Sequence, residues 1–454
     1  MKEITEIYDE YVDIVKSDMA GAKDSAKTVV DYILNSTAKY HGRCVKSLCV
    51  PKLFTPKETE LFESLVKTLY GIFDKVIAEY GSNPDYRKLF GFDRRLEELI
   101  LREPSYKTNI PIARVDIFLD EKTHAFKFCE FNTDGTSAMN EDRELCIAFQ
   151  KTKAWQEFSK KHEMTTFELF DSWVSEVGSI YADYCRRKGE ELHKGHVCIT
   201  DFMENATENE FMIFRDAFEK AGYTAEICEI RELVHKDGKL LSPSGKAVDI
   251  IYRRAVTSDI MAHFDEVTDF IEAVKEGNVC MIGDFKTQIV HNKMIYKVLH
   301  DEMTLKLLDN DEKRFVEEHV PYTMVLDDSV LEHIFNGKKI KDSVFDNKDN
   351  WIIKPEDSYG SKGVHAGVEC TQEEWKRFVL ENMNSGYILQ EFVHPYTTAN
   401  VDFSKDDEWH LYSNLTGLFV YNGKFAGVYS RISACEMIST QYSEMALPTF
   451  VVMS

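Results

Sequence analysis

Four polar residues in the segment 111–140 have types and spacing suited to chemistry: Arg114, Asp116, Glu130 and Asn132. They form an R-x-D pair and an E-x-N pair, each inside an alternating apolar run, with the turn-like stretch Asp120-Glu121-Lys122-Thr123 between them. This pattern predicts a β-hairpin. Alternate strand residues share a face, so the members of each pair point the same way. With the turn centred near Lys122, Arg114 falls roughly opposite Glu130, and all four groups share one face. Asp and Asn are disfavoured in strands, which asks for a reason beyond folding. Two carboxylates and an amide carbonyl are hard oxygen ligands, suited to Mg²⁺ when substrate phosphates complete its octahedron. The bland alternative is a solvated polar face on an ordinary hairpin. Cys129 is expected on the opposite face, in the core.

A second set of residues suits a polyphosphate. Trp351-Ile352-Ile353-Lys354-Pro355 reads as a short strand, followed by the loop Ser358-Tyr359-Gly360-Ser361-Lys362-Gly363-Val364. Glycines and small hydroxyls let backbone N–H groups approach phosphate oxygens. Lys354 would supply a point charge at the α/β-phosphates, and Lys362 would ride on the loop as it closes. Neither G-x-x-x-x-G-K-[ST] nor G-x-G-x-x-G occurs in the chain, and a plain turn also accounts for the glycines. The segment 387–393, with Gln390, Glu391, Phe392 and Val393, reads as a strand able to offer backbone groups to an adenine edge. Segments 415–420 and 425–432 flank Asn422-Gly423 as a second hairpin, which carries Arg431. Lys293 precedes a helix expected over 294–308.

Other elements must hold these in place. Residues 1–110 read as mainly helical: Leu61, Leu65, Leu69, Phe73 and Val76 form an amphipathic stripe with Thr55-Pro56 at its start. Thr136 or Ser137 is expected to cap the helix after the first hairpin. Between 196 and 252, strand and helix patterns alternate like a small open α/β unit. Arg253, at a strand end there, is a candidate contact for an acidic substrate, or one of a surface basic pair. His291, His365 and His410 lack ligand-spaced partners and read as structural. Three stretches result: 1–190, helical and carrying the metal hairpin; 191–290, α/β; and 291–454, nucleotide-binding.

The chain has 454 residues, 43% hydrophobic and 29% charged, with a net charge of −23. This is an ordinary globular composition, and its charge argues against nucleic acid or an anionic membrane as partner. The ten cysteines show no C-x-x-C pairs and are expected to be reduced. No transmembrane run or signal peptide is evident, so a cytoplasmic location is expected.

The order of these motifs resembles an ATP-grasp ligase, specifically the synthetase domain of glutathionylspermidine synthase. The matching elements are Arg114/Asp116, Glu130/Asn132, Asn292-Lys293, Lys354-Pro355, Gly360-Ser361-Lys362-Gly363, and Ala426-Gly427-Val428-Tyr429-Ser430-Arg431 with Ile438-Ser439. The resemblance implies an α+β or α/β chain with an ATP-grasp fold, a Rossmann-like pre-ATP-grasp subdomain and a helical N-terminal region. It implies ATP and Mg²⁺ as cofactors, with Mg²⁺ on Asp116, Glu130 and Asn132, and a carboxylate and an amine as partners, a γ-glutamyl peptide and a polyamine among them. Arg114 and Arg431 would meet the reacting groups, with Thr136 and Ser137 near the substrate. The loop Thr133-Asp134-Gly135-Thr136-Ser137 departs from the family, which leaves the acid open. The glycine loop has one extra residue before Gly360. No cysteine-histidine amidase domain is evident, so no hydrolytic half-reaction is expected. A kinase that stops at phosphoryl transfer and a silent nucleotide-binding protein remain as alternatives.

Overall fold

A computed structural model describes residues 3–40, 43–330, 334–335, 338–358, 360–438 and 444–453. Tyr359 and Ser439 lie outside the described residues. The chain is a mixed α/β protein built on two antiparallel sheets and one parallel sheet, with smaller sheets of two or three strands around them.

The largest sheet runs Met445–Leu447, Lys424–Ser433, Trp409–Tyr421, Ile112–Leu119, Phe126–Asn132, with Thr397–Val401 also paired to Trp409–Tyr421. Its strands come from the first and third stretches of the sequence, so the expected division at 190 and 291 runs through this sheet. One face is apolar. Val115, Ile117, Phe128, Phe131, Leu418 and Val428 pack there against Phe62, Leu65, Leu69, Phe73 and Val76 of the helix Pro56–Ser82. That helix starts as its sequence predicts. Thr55 Oγ1 accepts from the Lys57 N–H at 3.2 Å, and Glu58 Oε2 accepts from the Thr55 N–H at 2.8 Å, a reciprocal cap.

The opposite face is apolar in part, where Ile112, Phe419, Tyr421 and Tyr429 join a second core, and it also carries Arg114 and Asp116; here the register departs from expectation. Arg114 pairs with Asn132 and Asp116 with Glu130, because the ladder shifts between Asp116 and Ile117, which pairs with Phe128. Cys129 is the extra residue of this bulge. The turn is also longer than expected, closing from Leu119 to Phe126.

The second antiparallel sheet runs Thr323–Val325, Tyr387–Glu391, Trp351–Pro355, His365–Ala366. It has its own core of Trp351, Ile353, Trp375 and Leu389. The parallel sheet runs Cys280–Ile282, Ile250–Arg253, His196–Asp201, Thr224–Glu229. Every residue of His196–Asp201 is buried, as expected of a strand covered on both faces.

Two helices differ from expectation. The 294–308 segment breaks into Met294–Leu299 and Glu302–Leu305, because Asp301 caps the second piece by accepting from the Met303 N–H at 2.9 Å. Met139–Phe149 is capped neither by Thr136 nor by Ser137. Ala138 holds the cap position at φ 84°, and the first N–H groups go instead to Glu210 Oε2, 2.8 Å from Met139 N and 3.3 Å from Asn140 N. Among the described residues, no helix is long and apolar enough to cross a membrane.

Candidate active site

The two antiparallel sheets contribute to one cleft of about 940 Å³, counting its open mouth. From the large sheet come Arg114, Asp116, Glu130, Asn132 and Arg431; from the other come Lys354, Gln390 and Glu391; Lys293, Gly360, Ser361, Phe392 and Val393 complete it. These thirteen residues, singled out by sequence, thus meet in space. Cys129 lines the cleft as well: the bulge brings it round from the core face expected for it, and burial pushes its thiol up to about 11.

Asp116 is the most tightly held group. It is wholly buried. Arg114 Nε donates to Oδ1 at 2.8 Å, while Arg114 Nη2 at 3.2 Å and Asn132 Nδ2 at 3.0 Å donate to Oδ2. Arg431 Nη2 also donates to Oδ2. Oδ2 thus takes three protein donors and Oδ1 one, so the carboxylate expected among the metal ligands is here the counter-ion of both arginines. Its negative charge instead holds two arginines together that would otherwise repel. Arg431 further faces Glu444, Nη1 to Oε2 at 3.4 Å, and both guanidiniums lie over the Tyr429 ring.

Glu130 sits directly across the ladder, half-buried, with Oε1 2.9 Å from Lys293 Nζ. Burial alone would raise its carboxyl. Lys293, helped by Lys354 and His291, outweighs that and holds it at about 2, so Glu130 is an anion at any ordinary pH. Lys293 Nζ also donates to the Ser358 carbonyl at 2.7 Å, tying the glycine loop to the hairpin. Lys354 Nζ donates to Gln390 Oε1 at 2.8 Å, and burial lowers its pKa.

The amide nitrogen of Asn132 faces Asp116, so its oxygen faces away, and Glu130 keeps a second oxygen beyond the one on Lys293. These two hard oxygens fit Mg²⁺, which takes few protein ligands when phosphates and water supply the rest. Among the described residues, no group of three or more His, Cys, Asp or Glu is placed to hold a metal ion, in this cleft or elsewhere.

The strand Tyr387–Glu391 ends in a way that frees acceptors. Glu391 N–H donates to the Tyr322 carbonyl at 2.9 Å, but Tyr322 N–H donates back to the Glu391 carboxylate at 3.0 Å, not to its carbonyl. Phe392 N–H donates to Asn350 O at 2.8 Å, while Asn350 N–H goes to Asn347 O at 3.1 Å. The ladder donors that would serve the carbonyls of Glu391 and Phe392 are thus committed elsewhere.

Five residues expected at the site lie outside the lining. Lys362 and Gly363 are exposed on the outer part of the loop. Gly363 has φ 72°, and a Cβ there would stand 2.7 Å from Tyr387 Oη, so glycine serves close packing as well as backbone freedom. Thr136 turns inward, its hydroxyl donating to the Asn132 carbonyl at 2.8 Å, and Ser137 contributes its carbonyl, which accepts from Arg114 Nη1 at 3.1 Å. Arg253 is neither a surface residue nor open to a substrate. It is buried, with Nη2 2.7 Å from Asp134 Oδ1 and Nη1 donating to Ala255 O at 2.6 Å. Asp134 also accepts from Thr257 N–H at 2.6 Å, so Arg253 fastens the loop after Asn132 to the C-terminal end of an inner strand of the parallel sheet. Of the three histidines, His291 is buried and His365 stacks on Phe378 at 3.8 Å, but His410 is exposed beside Asp406.

Gly417 went unremarked in the sequence. It pairs with Asp116 across the ladder, and a Cβ there would stand 2.7 Å from Asp116 Oδ1 and 2.8 Å from Arg114 Cδ. A glycine inside a strand pattern is the signal of close approach. Gly417→Ala should push the Arg114–Asp116 pair apart and cost about 1–3 kcal/mol in urea unfolding, the usual scale of overpacking. A variant as stable as the parent would show that the pair has room to move.

No protein-family profile matches the chain, and no curated protein matches it. Solved structures do. A glutathione synthetase-like effector from Globodera pallida aligns over 95% of this chain and 97% of its own, with TM-score 0.57 and 11% sequence identity. The fold is that of a glutathione-synthetase-like protein. A candidate gamma-glutamylcysteine synthetase from Methylobacillus flagellatus covers 88% of this chain and 90% of its own at 10% identity, with TM-score 0.42; that likeness adds nothing to the assignment.

Proposed function

We propose that this protein is an ATP- and Mg²⁺-dependent carboxylate–amine ligase of the ATP-grasp type, resembling glutathionylspermidine synthase. One observation carries the reading: two lysines, two arginines, the Glu130/Asn132 oxygens and a strand end whose neighbouring N–H donors are committed elsewhere share one cleft between two antiparallel sheets. The likeness in fold to a glutathione synthetase-like protein supports it.

In this reading the carbonyls of Glu391 and Phe392 accept from the adenine amino group. Lys354 and Lys293 neutralise the phosphates, which is most of what phosphoryl transfer asks of a protein. Glu130 and Asn132 would hold Mg²⁺, which supplies charge neutralisation on the phosphate oxygens. A carboxylate oxygen of the acid attacks the γ-phosphorus, the bond to the ADP oxygen breaks, and an acyl phosphate forms. The amine nitrogen then attacks the acyl carbon, phosphate leaves with the bonding pair, and the amine gives up a proton to yield the amide. Arg114 and Arg431, held by Asp116, stand where charge develops on the acyl phosphate. Because an acyl phosphate hydrolyses readily, excluding water matters, and the loop that Lys293 ties through Ser358 is the candidate cover.

The test is ADP release from a panel of γ-glutamyl peptides and polyamines, with the amide detected by mass spectrometry. A ligase releases ADP in one-to-one proportion with amide and needs both partners. Full-rate ADP release on the acid alone, with a phosphorylated acid as final product, would make the protein a kinase.

A further inference from the structure

We infer that Gln390 and Thr323 are positioning residues that hold the Lys354 ammonium in place for a nucleotide phosphate. This rests on the nucleotide reading above and extends it to Thr323, which does not line the cleft.

Gln390 lies on an inner strand of the four-stranded antiparallel sheet. Thr323 is its register partner on one side, and Ile352 on the other. Lys354, two residues beyond Ile352, shares that residue's face of the strand. Three hydrogen bonds run in series. Lys354 Nζ donates to Gln390 Oε1 at 2.8 Å, Gln390 Nε2 donates to Thr323 Oγ1 at 2.8 Å, and the Thr323 hydroxyl donates to the Pro321 carbonyl at 2.9 Å.

The direction of this series is fixed by its protons. Thr323 has a single hydroxyl proton, and the Pro321 carbonyl takes it. Thr323 Oγ1 can then only accept, so the amide must present its nitrogen there and its oxygen to Lys354. A flipped amide would set an NH₂ group against an ammonium and leave the threonine oxygen facing a carbonyl oxygen. Gln390 and Thr323 are 2% and 3% exposed, so water does not readily substitute for a missing partner, and an unmade bond there carries its full desolvation cost. Lys354 otherwise faces Lys293, a like charge, and Glu130 and Cys129 of the hairpin. Without Gln390 the flexible lysine stem would be drawn toward Glu130, the carboxylate proposed to serve the metal. The relay thus keeps Lys354 on the phosphates and leaves Glu130 to its own partners.

The experiment is calorimetric titration of the full chain with Mg²⁺·AMP-PNP and, separately, with adenosine. The variants are Thr323→Val, Thr323→Ser and Gln390→Leu, each checked for an unchanged far-ultraviolet circular dichroism spectrum. Valine matches threonine in shape but cannot accept, so Thr323→Val should weaken AMP-PNP about tenfold, the value of roughly one buried hydrogen bond. Gln390→Leu should weaken it at least as much. Thr323→Ser should restore affinity to about twofold of the parent. Adenosine has no phosphate for Lys354 to hold, and its affinity should not move in Thr323→Val or Thr323→Ser. Equal losses for adenosine and AMP-PNP would show that these residues only shape the sheet, and unchanged AMP-PNP affinity would show that Lys354 needs no guide. Either result overturns the inference. A parent protein that binds neither probe removes the nucleotide reading itself and the relay's role with it.

Discussion

Asp116→Asn should be the most damaging single-atom change in this protein. It leaves Arg114 and Arg431 buried side by side with their shared counter-ion gone. Breaking a buried ion pair by removing one partner costs about 3–5 kcal/mol, because the remaining charge is uncompensated; here two charges remain, with Glu444 the other carboxylate facing Arg431. The midpoint of urea unfolding should fall accordingly. Turnover should fall by about 100- to 1,000-fold, the scale seen when a preorganised donor to a transition state is lost, since Arg114 and Arg431 would no longer share one anchor. A variant within about 1 kcal/mol of the parent that still turned over would show that the arginines are held by something other than Asp116.

Lys293→Met is the second large effect, and it has a signature in pH. Lys293 touches both Glu130 and the Ser358 carbonyl. Its loss should weaken Mg²⁺·AMP-PNP binding by about 10- to 100-fold, the cost of a charged hydrogen bond. The sign of the pH effect follows from Glu130, whose folded carboxyl lies near 2, below the ordinary value of about 4.3. A carboxyl lowered on folding contributes stability that is fully present above its unfolded value and is lost as pH falls through the folded one. In the parent this contribution therefore disappears between about pH 4.3 and 2. In Lys293→Met, burial acts with its main opponent gone, the carboxyl moves up, and the contribution is largely absent at every pH. Thermal melting from pH 2 to 7 should show the variant less stable at neutral pH, with the gap narrowing toward pH 2. A gap independent of pH would place the stabilisation by Lys293 elsewhere than on Glu130.

What the sequence made legible was local. The Ile112–Leu119 and Phe126–Asn132 strands show in alternation, the Pro56–Ser82 helix in its stripe and cap, and the lysine-ended Trp351–Pro355 strand in its apolar run. The register was not legible. A bulge inserts one residue without disturbing the alternation on either side, so Arg114 was expected across from Glu130, and Cys129 on the wrong face. The pairing of Asp116 with Arg431 was not legible because the two lie 315 residues apart in sequence, and no periodicity links them. Arg253 read as open because a strand-end arginine looks the same whether it meets solvent or Asp134. Nor was it legible that one sheet draws strands from 112–132 and from 397–447, since strand pairing over such distances leaves no local trace. Gly417 alone could have been found: it is a glycine in the middle of a strand pattern.

The central claim is that this cleft activates a carboxylate with ATP. It is tested most directly by the fate of oxygen. The acid that supports amine-dependent ADP release is prepared with both carboxylate oxygens as ¹⁸O, and the released phosphate is analysed by mass spectrometry. If the carboxylate attacks the γ-phosphorus and phosphate departs from the acyl carbon, one ¹⁸O from the acid appears in each phosphate and one remains in the amide. Unlabelled phosphate alongside labelled amide would contradict the account, because the carboxylate would then never have carried the phosphoryl group.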